Sequence, residues 1–162
     1  MPAPGASETP VEYTDEFWRT IRGLRDKTVV DGLARLTEHW ASLGGKLQYS
    51  VDPQLALYPV LRDVVHQPWL FGIYPGGSGT IEVPFQYMKL RPPFDDTGLR
   101  DQLRTKLNDV EGIDIPPARL GLRPRFSLDL LGSSDVVERL AAVMTCFVET
   151  AREAAKAEGS NA

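Results

Sequence analysis

Residues 69–91, WLFGIYPGGSGTIEVPFQYMKLR, constrain the fold most, because they have the pattern of two β-strands joined by a turn. Before the glycine-rich run 75–79, Trp69, Phe71 and Ile73 alternate with Leu70, Gly72 and Tyr74. After it, apolar residues alternate mainly with polar ones, which is typical of a strand with one buried face. Glycines in that run supply the positive φ values that a chain reversal requires. The second strand is expected to bury Ile81, Val83 and Phe85 on one face. The segment therefore predicts an antiparallel hairpin.

Helices are predicted on both sides of this hairpin in the sequence. Residues 28–43 carry apolar side chains at helical spacing, and two glycines follow that favour a helix C-terminus. Residues 134–155 carry a wider apolar face, which predicts the main helix that covers the sheet. A shorter helix is expected to begin at a cap at Thr14, and another helix is expected at about 98–109.

Two short strands are predicted before the hairpin, at residues 47–51 and within residues 55–65. Pro59 lies in the second of them, and proline in a sheet is tolerated mainly at an edge. The order of helices, consecutive strands and helices again predicts an α+β domain. We expect a three- to four-stranded antiparallel sheet with helices packed on one face.

A length of 162 residues favours one domain. Residues 1–13 are interpreted as a disordered leader, residues 14–156 as a single α+β domain and residues 157–162 as a frayed tail. The leader lacks the pattern of a signal peptide, and no apolar run is long enough to span a bilayer, so we expect a cytoplasmic protein without a membrane partner. The net charge of −4 argues against non-specific coating of nucleic acid but allows a local basic face.

Motifs for catalysis or cofactor binding are missing from the sequence. The run 75–79 lacks the Lys-Ser/Thr pair and the following helix of a phosphate-binding loop. The single cysteine, Cys146, excludes an internal disulfide and a cysteine-based zinc site. The two histidines, His39 and His66, have no partners at ligand spacing. No catalytic residue, cofactor or metal site is therefore predicted.

A divergent magnesium-dependent nuclease is one alternative. Glu82 and Gln86 lie four residues apart on the predicted strand, with Lys89 nearby, and strand carboxylates bind magnesium in restriction-type nucleases. The Glu-x-Lys spacing of such a site is missing, because no lysine stands two residues after Glu82. A degenerate site would use Asp52, Asp63 or Glu82. The simpler interpretation of these side chains is a solvated polar face of the sheet.

Residues 45–150 resemble an uncharacterised bacterial domain. Its pattern is roughly E-I-x-F-Q on a strand, a K-x-R-P-P-F-D loop, a helix ending in L-N-x-I-x-G, and an R-P segment before the last helix. This chain matches the pattern at residues 82–86, 89–95, 107–112 and 123–124. The resemblance implies a module that occurs at the C-terminal end of hypothetical proteins, some of which accompany restriction or DNA-modification proteins. It implies a link to nucleic-acid transactions or bacterial defence and supplies no mechanism.

Polar and loop residues within these motifs form the candidate binding surface, because packing alone does not require them. On this interpretation the protein is a non-catalytic binding or interaction module whose partner is a protein or a nucleic acid. A homo-oligomerisation or partner-docking domain is a further alternative, since three tryptophans and an exposed hairpin suit an interface. Arg91 and Arg123 also have a structural interpretation, as anchors of the proline-rich loops. The candidate residues are Glu82, Gln86, Lys89, Arg91, Phe94 and Arg123.

Overall fold

The computed structural model describes residues 10–160 of the chain. Within that range the α-helices are α1 (Val11–Leu24), α2 (Lys27–Ser42), α3 (Phe85–Met88), α4 (Thr97–Asn108) and α5 (Ser134–Ser160). The strands are β1 (Lys46–Ser50), β2 (Ala56–Val60), β3 (Gly72–Tyr74), β4 (Thr80–Glu82) and β5 (Arg125–Ser127). None of the helices in residues 10–160 is both long and apolar enough to cross a membrane.

The strands form one antiparallel sheet in the order β1-β2-β3-β4-β5. The prediction of an α+β fold with an antiparallel sheet is confirmed. The predicted number of strands is corrected from three or four to five within residues 10–160. The additional strand is β5, which pairs Phe126 with Ile81 and Arg125 with Glu82. Because β5 has only three residues, its alternation is too short to distinguish a strand from a loop in the sequence.

One face of the sheet, here called the inner face, packs against the helices. The apolar residues of α2 lie at helical spacing, and Leu33, Leu36 and Trp40 are each at most 1% exposed. The rings of Phe94 and Phe147 stack in the same core with centroids 4.5 Å apart. This core therefore joins the sheet and the helical layer into one apolar cluster. Its sheet side chains are Tyr49, Leu57, Ile73, Ile81 and Phe126.

The second strand of the hairpin is shorter than predicted. It ends at Glu82, and the chain then turns into the short helix α3. Pro84 explains the change, because proline has no N–H with which to continue a strand ladder. Phe85 nevertheless fills the inner core and is fully buried, as are Ile81 and Val83 to within 1%. The predicted burial of these three side chains is confirmed, although Phe85 reaches the core from a helix.

Proline is also accommodated inside the sheet. Pro59 lies in β2, which pairs with β1 and with β3, so the expectation of an edge strand is wrong. Between β2 and β3 the ladder is interrupted: Leu57 pairs with Ile73, and a separate bridge joins Val60 to Trp69. Between these two pairs, residues 58–59 of β2 lie opposite residues 70–72. This unequal number of residues is a bulge, and a sheet tolerates proline at a bulge.

Both ends of the described chain are more helical than the sequence predicts. Helix α1 begins at Val11 rather than at Thr14, so residues 11–13 of the predicted leader are helical. Pro10 precedes its first turn, where a missing N–H costs no hydrogen bond. Helix α5 runs to Ser160 and so includes residues 157–160 of the predicted frayed tail, of which Ala157 and Glu158 favour a helix. The other predicted leader and tail residues lie outside the described range.

Candidate functional site

The opposite face of the sheet, here called the outer face, carries aromatic and charged side chains. Alternation along each strand points Tyr58, Tyr74 and Glu82 away from the inner core. Tyr58 and Tyr74 are 2% and 6% exposed and form a second buried cluster with Trp69, separate from the inner core. Tyr87 of α3 packs against this cluster. The outer face is therefore well packed, but with side chains that bear polar groups.

A cleft of about 210 Å³ opens on this face, and we call it the outer cleft. Tyr58, Tyr74 and Glu82 contribute to its walls from the strands, and Gln54 contributes from the loop between β1 and β2. Arg123 and Arg125 complete its lining together with Pro53. The outer cleft thus combines one carboxylate, two guanidinium groups, two phenols and an amide.

Glu82 is the most deeply buried residue of the outer cleft. Its residue is 1% exposed, so the prediction of a solvated carboxylate is wrong. Its Oε1 lies 3.0 Å from Nε of Arg123, and its Oε2 lies 3.9 Å from Nη2 of Arg125. The arginine side chains are 37% and 49% exposed. A buried carboxylate without a cation would cost several kcal/mol, so these ion pairs explain how Glu82 is tolerated within the sheet.

Four planar groups contact one another in series on the outer face beside the cleft. The guanidinium of Arg91 lies 5.0 Å from the ring centroid of Trp69. The rings of Trp69 and Tyr87 stack at 5.5 Å, and the guanidinium of Arg123 lies 5.8 Å from the Tyr87 centroid. We call this series the aromatic–arginine stack. Arg125 makes a similar contact with Tyr74, also at 5.8 Å.

The two ends of the aromatic–arginine stack differ. Arg91 donates hydrogen bonds from Nη1 to the backbone carbonyl oxygens of His66, at 2.9 Å, and Gln67, at 3.3 Å. Arg91 therefore anchors the loop after β2, which agrees with its structural interpretation. Arg123 is exposed and lines the outer cleft. Backbone carbonyls therefore hold the end of the stack at Arg91, whereas the other end, at Arg123, lines the outer cleft.

The tyrosine hydroxyls of the cleft remain protonated at neutral pH. Burial raises the pKa of Tyr58. Burial also raises the pKa of Tyr74, and its hydrogen bond with Tyr58 and the nearby charge of Glu82 raise it further. The two phenols therefore supply neutral donors and acceptors to the cleft. They do not supply a tyrosinate that could act as a base.

The structure brings together only part of the candidate surface. Glu82 and Arg123 lie in the outer cleft. Gln86 and Lys89 are exposed beside the loop that leads to Arg123: the backbone N–H of Gln86 donates to the carbonyl of Leu122, and Lys89 lies next to Gly121. These two side chains belong to the rim of this region rather than to the lining of the cleft.

The prediction for Phe94 is corrected. Phe94 is 1% exposed and stacks on Phe147 in the inner core. Its position in a proline-rich loop makes it look like a surface residue in the sequence, but the loop folds its ring inward. Phe94 therefore stabilises the fold and contributes nothing to an exposed surface.

Sequence reasoning missed Arg125 and the tyrosines of the cleft. A signal for Arg125 is present, because it precedes Phe126 and alternation places neighbouring strand residues on opposite faces. The same reasoning applies to Tyr58, which follows the core residue Leu57, and to Tyr74, which follows Ile73. The convergence of these side chains on Glu82 depends on strand pairing, which the sequence did not show for β5.

The carboxylates of the nuclease alternative do not assemble. Asp63 forms an ion pair with Arg152 of α5, with 3.0 Å between Oδ2 and Nε, whereas Glu82 is paired with arginines. Asp52 is exposed in the turn after β1. Within residues 10–160, no group of three or more histidine, cysteine, aspartate or glutamate side chains could hold a metal ion.

Comparisons with known proteins do not identify a relative. No protein-family model, curated protein or solved structure matches this chain. The resemblance to the uncharacterised bacterial domain therefore stays a prediction. The geometry of the outer face is the basis on which a function can be inferred.

Proposed function

We propose that this protein is a non-catalytic binding module that holds an anionic ligand in the outer cleft. The observation that carries this proposal is the convergence of Arg123 and Arg125 on the buried carboxylate of Glu82. A guanidinium has five N–H donors, and ion pairs with a single carboxylate leave most of them available. Both arginines are partly exposed where they line the cleft. Guanidinium donors in this position suit carboxylate and phosphate oxygens.

The charge of the site favours a ligand with a single negative charge. Glu82 contributes one negative charge, and Arg123 and Arg125 contribute two positive charges, so these three groups together carry a net charge of +1. The ion pairs and the ring contacts with Tyr87 and Tyr74 restrict the guanidinium groups before any ligand arrives. A restricted side chain loses less conformational entropy on binding than a free one.

The same groups are poorly suited to catalysis. The lining of the outer cleft, all of it within residues 10–160, includes no serine, cysteine or histidine. Glu82 is buried against two cations, which would repel a magnesium ion, and this disfavours the nuclease alternative. The phenols stay protonated because burial raises their pKa. These features favour binding over proton transfer or nucleophilic attack.

A titration of isotopically labelled protein with inorganic phosphate and with acetate tests this proposal. We expect the Nε–H signals of Arg123 and Arg125 to shift and to saturate at low ionic strength. Arg139 provides a matched control, because it is an exposed arginine on α5 paired with Asp135. Its signal should stay in place, and Arg125→Gln should weaken binding whereas Arg139→Gln should not. Shifts of equal size at all three arginines, or none at Arg123 and Arg125, would contradict the proposal.

Homo-oligomerisation is supported by a different observation. Leu90 and Leu122 are 78% and 46% exposed, and both flank the rim formed by Gln86 and Lys89. Exposed leucines at the rim of a polar cleft can contribute to an interface. Light scattering tests this second candidate, since a strict monomer at high concentration would eliminate it.

A further inference from the structure

We infer that the ligand of the outer cleft is a nucleotide unit, whose base stacks on the guanidinium of Arg123 and whose phosphate contacts Arg125. This inference rests on the proposed function and adds the chemical class of the ligand. It follows from the series of contacts that links Arg91, Trp69, Tyr87 and Arg123, because the last of these groups also lines the cleft that contains Arg125.

The two arginines at the ends of the aromatic–arginine stack differ in their partners and in their exposure. Backbone carbonyls of His66 and Gln67 hold the guanidinium of Arg91. Arg123 contacts Tyr87 within the stack, pairs with Glu82, and is still 37% exposed in its side chain. A planar ring from a ligand can extend such a stack, because nucleobases pack on arginine planes as well as on aromatic rings. The end at Arg123 is the position for that additional layer.

A phosphate group on the ligand would be the partner of Arg125, the second arginine of the cleft. Arg125 lines the same cleft, contacts Tyr74 and pairs only at 3.9 Å with Glu82. A simple carboxylate or inorganic phosphate would use the arginine donors but not the stack. A nucleotide unit uses both, because it joins a flat aromatic ring to an oxyanion. The neutral groups of Tyr58, Tyr74 and Gln54 can then contact the edge of the base or the sugar hydroxyls.

The cleft favours a single strand over a duplex. A volume of about 210 Å³ suits one ring system, whereas paired bases in a duplex are not available for stacking on a side chain. The net charge of +1 at Glu82, Arg123 and Arg125 matches the one negative charge of a phosphodiester. A free nucleotide has the same ring and oxyanion chemistry, and competition by a nucleoside monophosphate separates it from a strand.

Fluorescence anisotropy with four probes tests the inference. The probes are a short single-stranded DNA, its duplex, an abasic strand with the same number of phosphates, and a nucleoside monophosphate used as a competitor. We expect the base-bearing strand to bind about tenfold more tightly than the abasic strand and than the duplex. Arg123→Lys keeps the charge and removes the plane, so it should lower the affinity for the base-bearing strand to the abasic level. Arg139→Lys is the control and should change neither affinity.

Each outcome decides a separate point. Equal affinities for the base-bearing and abasic strands would overturn the stacked nucleotide, and this comparison uses the unaltered protein, so it does not depend on how Arg123→Lys folds. If phosphate still shifts the Arg123 and Arg125 signals in that case, the proposed anion-binding function stands without the nucleotide. If phosphate shifts neither signal and no strand binds, both proposals fail. Competition by the monophosphate as strong as that by the strand would support the inference with a free nucleotide as the source.

Discussion

The inner and outer faces of the sheet are both largely buried, but they are buried by different means. On the inner face, apolar side chains such as Phe85 and Phe147 pack against helices. On the outer face, tyrosine rings, a carboxylate and arginines cover one another. Apolar burial stabilises a fold by about 25 cal/mol per Å², whereas burial of a charge has a cost that its partners only offset. Apolar burial therefore explains stability, whereas the buried charge of the outer face requires another explanation.

We explain the buried charge of the outer face by a need to hold charged groups in fixed positions. A leucine or valine would suit the buried position 82, and replacement of buried ion pairs by apolar residues is often neutral or stabilising. This chain instead has Glu82 beneath Arg123 and Arg125. A local departure from what packing favours is expected at functional sites. We interpret the outer face as a surface whose geometry is fixed at some cost in stability.

The largest effect is expected from removal of an inner-face ring. Phe147→Ala should lower the free energy of unfolding by about 3–5 kcal/mol, because it leaves a cavity beside Phe94 and Trp40. Urea denaturation measures the change. Glu149→Ala on the exposed side of the same helix should change it by less than about 0.5 kcal/mol. A loss below about 1 kcal/mol for Phe147→Ala would contradict the assignment of the core.

A smaller effect with a distinctive rescue is expected on the outer face. Replacing Arg123 and Arg125 together by alanine leaves the buried carboxylate of Glu82 without a cation, and we expect a loss of about 2 kcal/mol. Adding Glu82→Gln to that variant should restore most of the lost stability. Urea denaturation of the unaltered protein, the double variant, Glu82→Gln alone and the triple variant forms a cycle that isolates the coupling. A triple variant as unstable as the double variant would show that the arginines act by packing alone.

The pH dependence of stability sharpens the comparison further. Burial raises the folded-state pKa of Tyr58 and Tyr74 above the ordinary value of 10.0, and the same holds for Tyr49 at the inner face. The contribution of these protonated tyrosines to the free energy of unfolding is complete below about pH 10. It is lost as the pH rises, because the unfolded chain then loses protons that the folded protein keeps. Each tyrosine should reduce the free energy of unfolding by about 1.4 kcal/mol per pH unit in that range. Tyr74→Phe should remove one such contribution, and an unchanged slope would contradict the buried phenol.

The inner face was largely predictable from the sequence, because apolar spacing reports burial directly. The stripe of α2 and the alternation of Ile81 and Val83 predict their places in the core. The pattern failed at Pro84, where period-2 alternation continues although the ladder stops and Phe85 enters the core from a helix. Local alternation cannot report where backbone hydrogen bonds end.

The outer face was predictable only in part, since its key contacts join residues far apart in the sequence. Glu82 and Arg123 are separated by about forty residues, and they meet because β5 pairs with β4. A glutamate in a strand is ordinarily exposed, so its burial depends on cations that the local sequence does not show. Phe94 illustrates the reverse case, because a loop context concealed a core residue.

The central claim, that the arginines of the outer face hold a phosphate-bearing ligand, is tested most directly by the salt dependence of single-strand binding. In the first variant, glutamine replaces Glu82, Arg123 and Arg125, and this variant should remain folded. In the control variant, glutamine replaces Lys27 and Arg139, which removes two exposed cations from the helical layer. We predict that the plot of log affinity against log salt concentration flattens by about 0.7 for each lost phosphate contact in the first variant and keeps its slope in the control. The claim would be contradicted if the first variant and the control variant gave the same slope of log affinity against log salt concentration. It would also be contradicted if the unaltered protein bound no single strand.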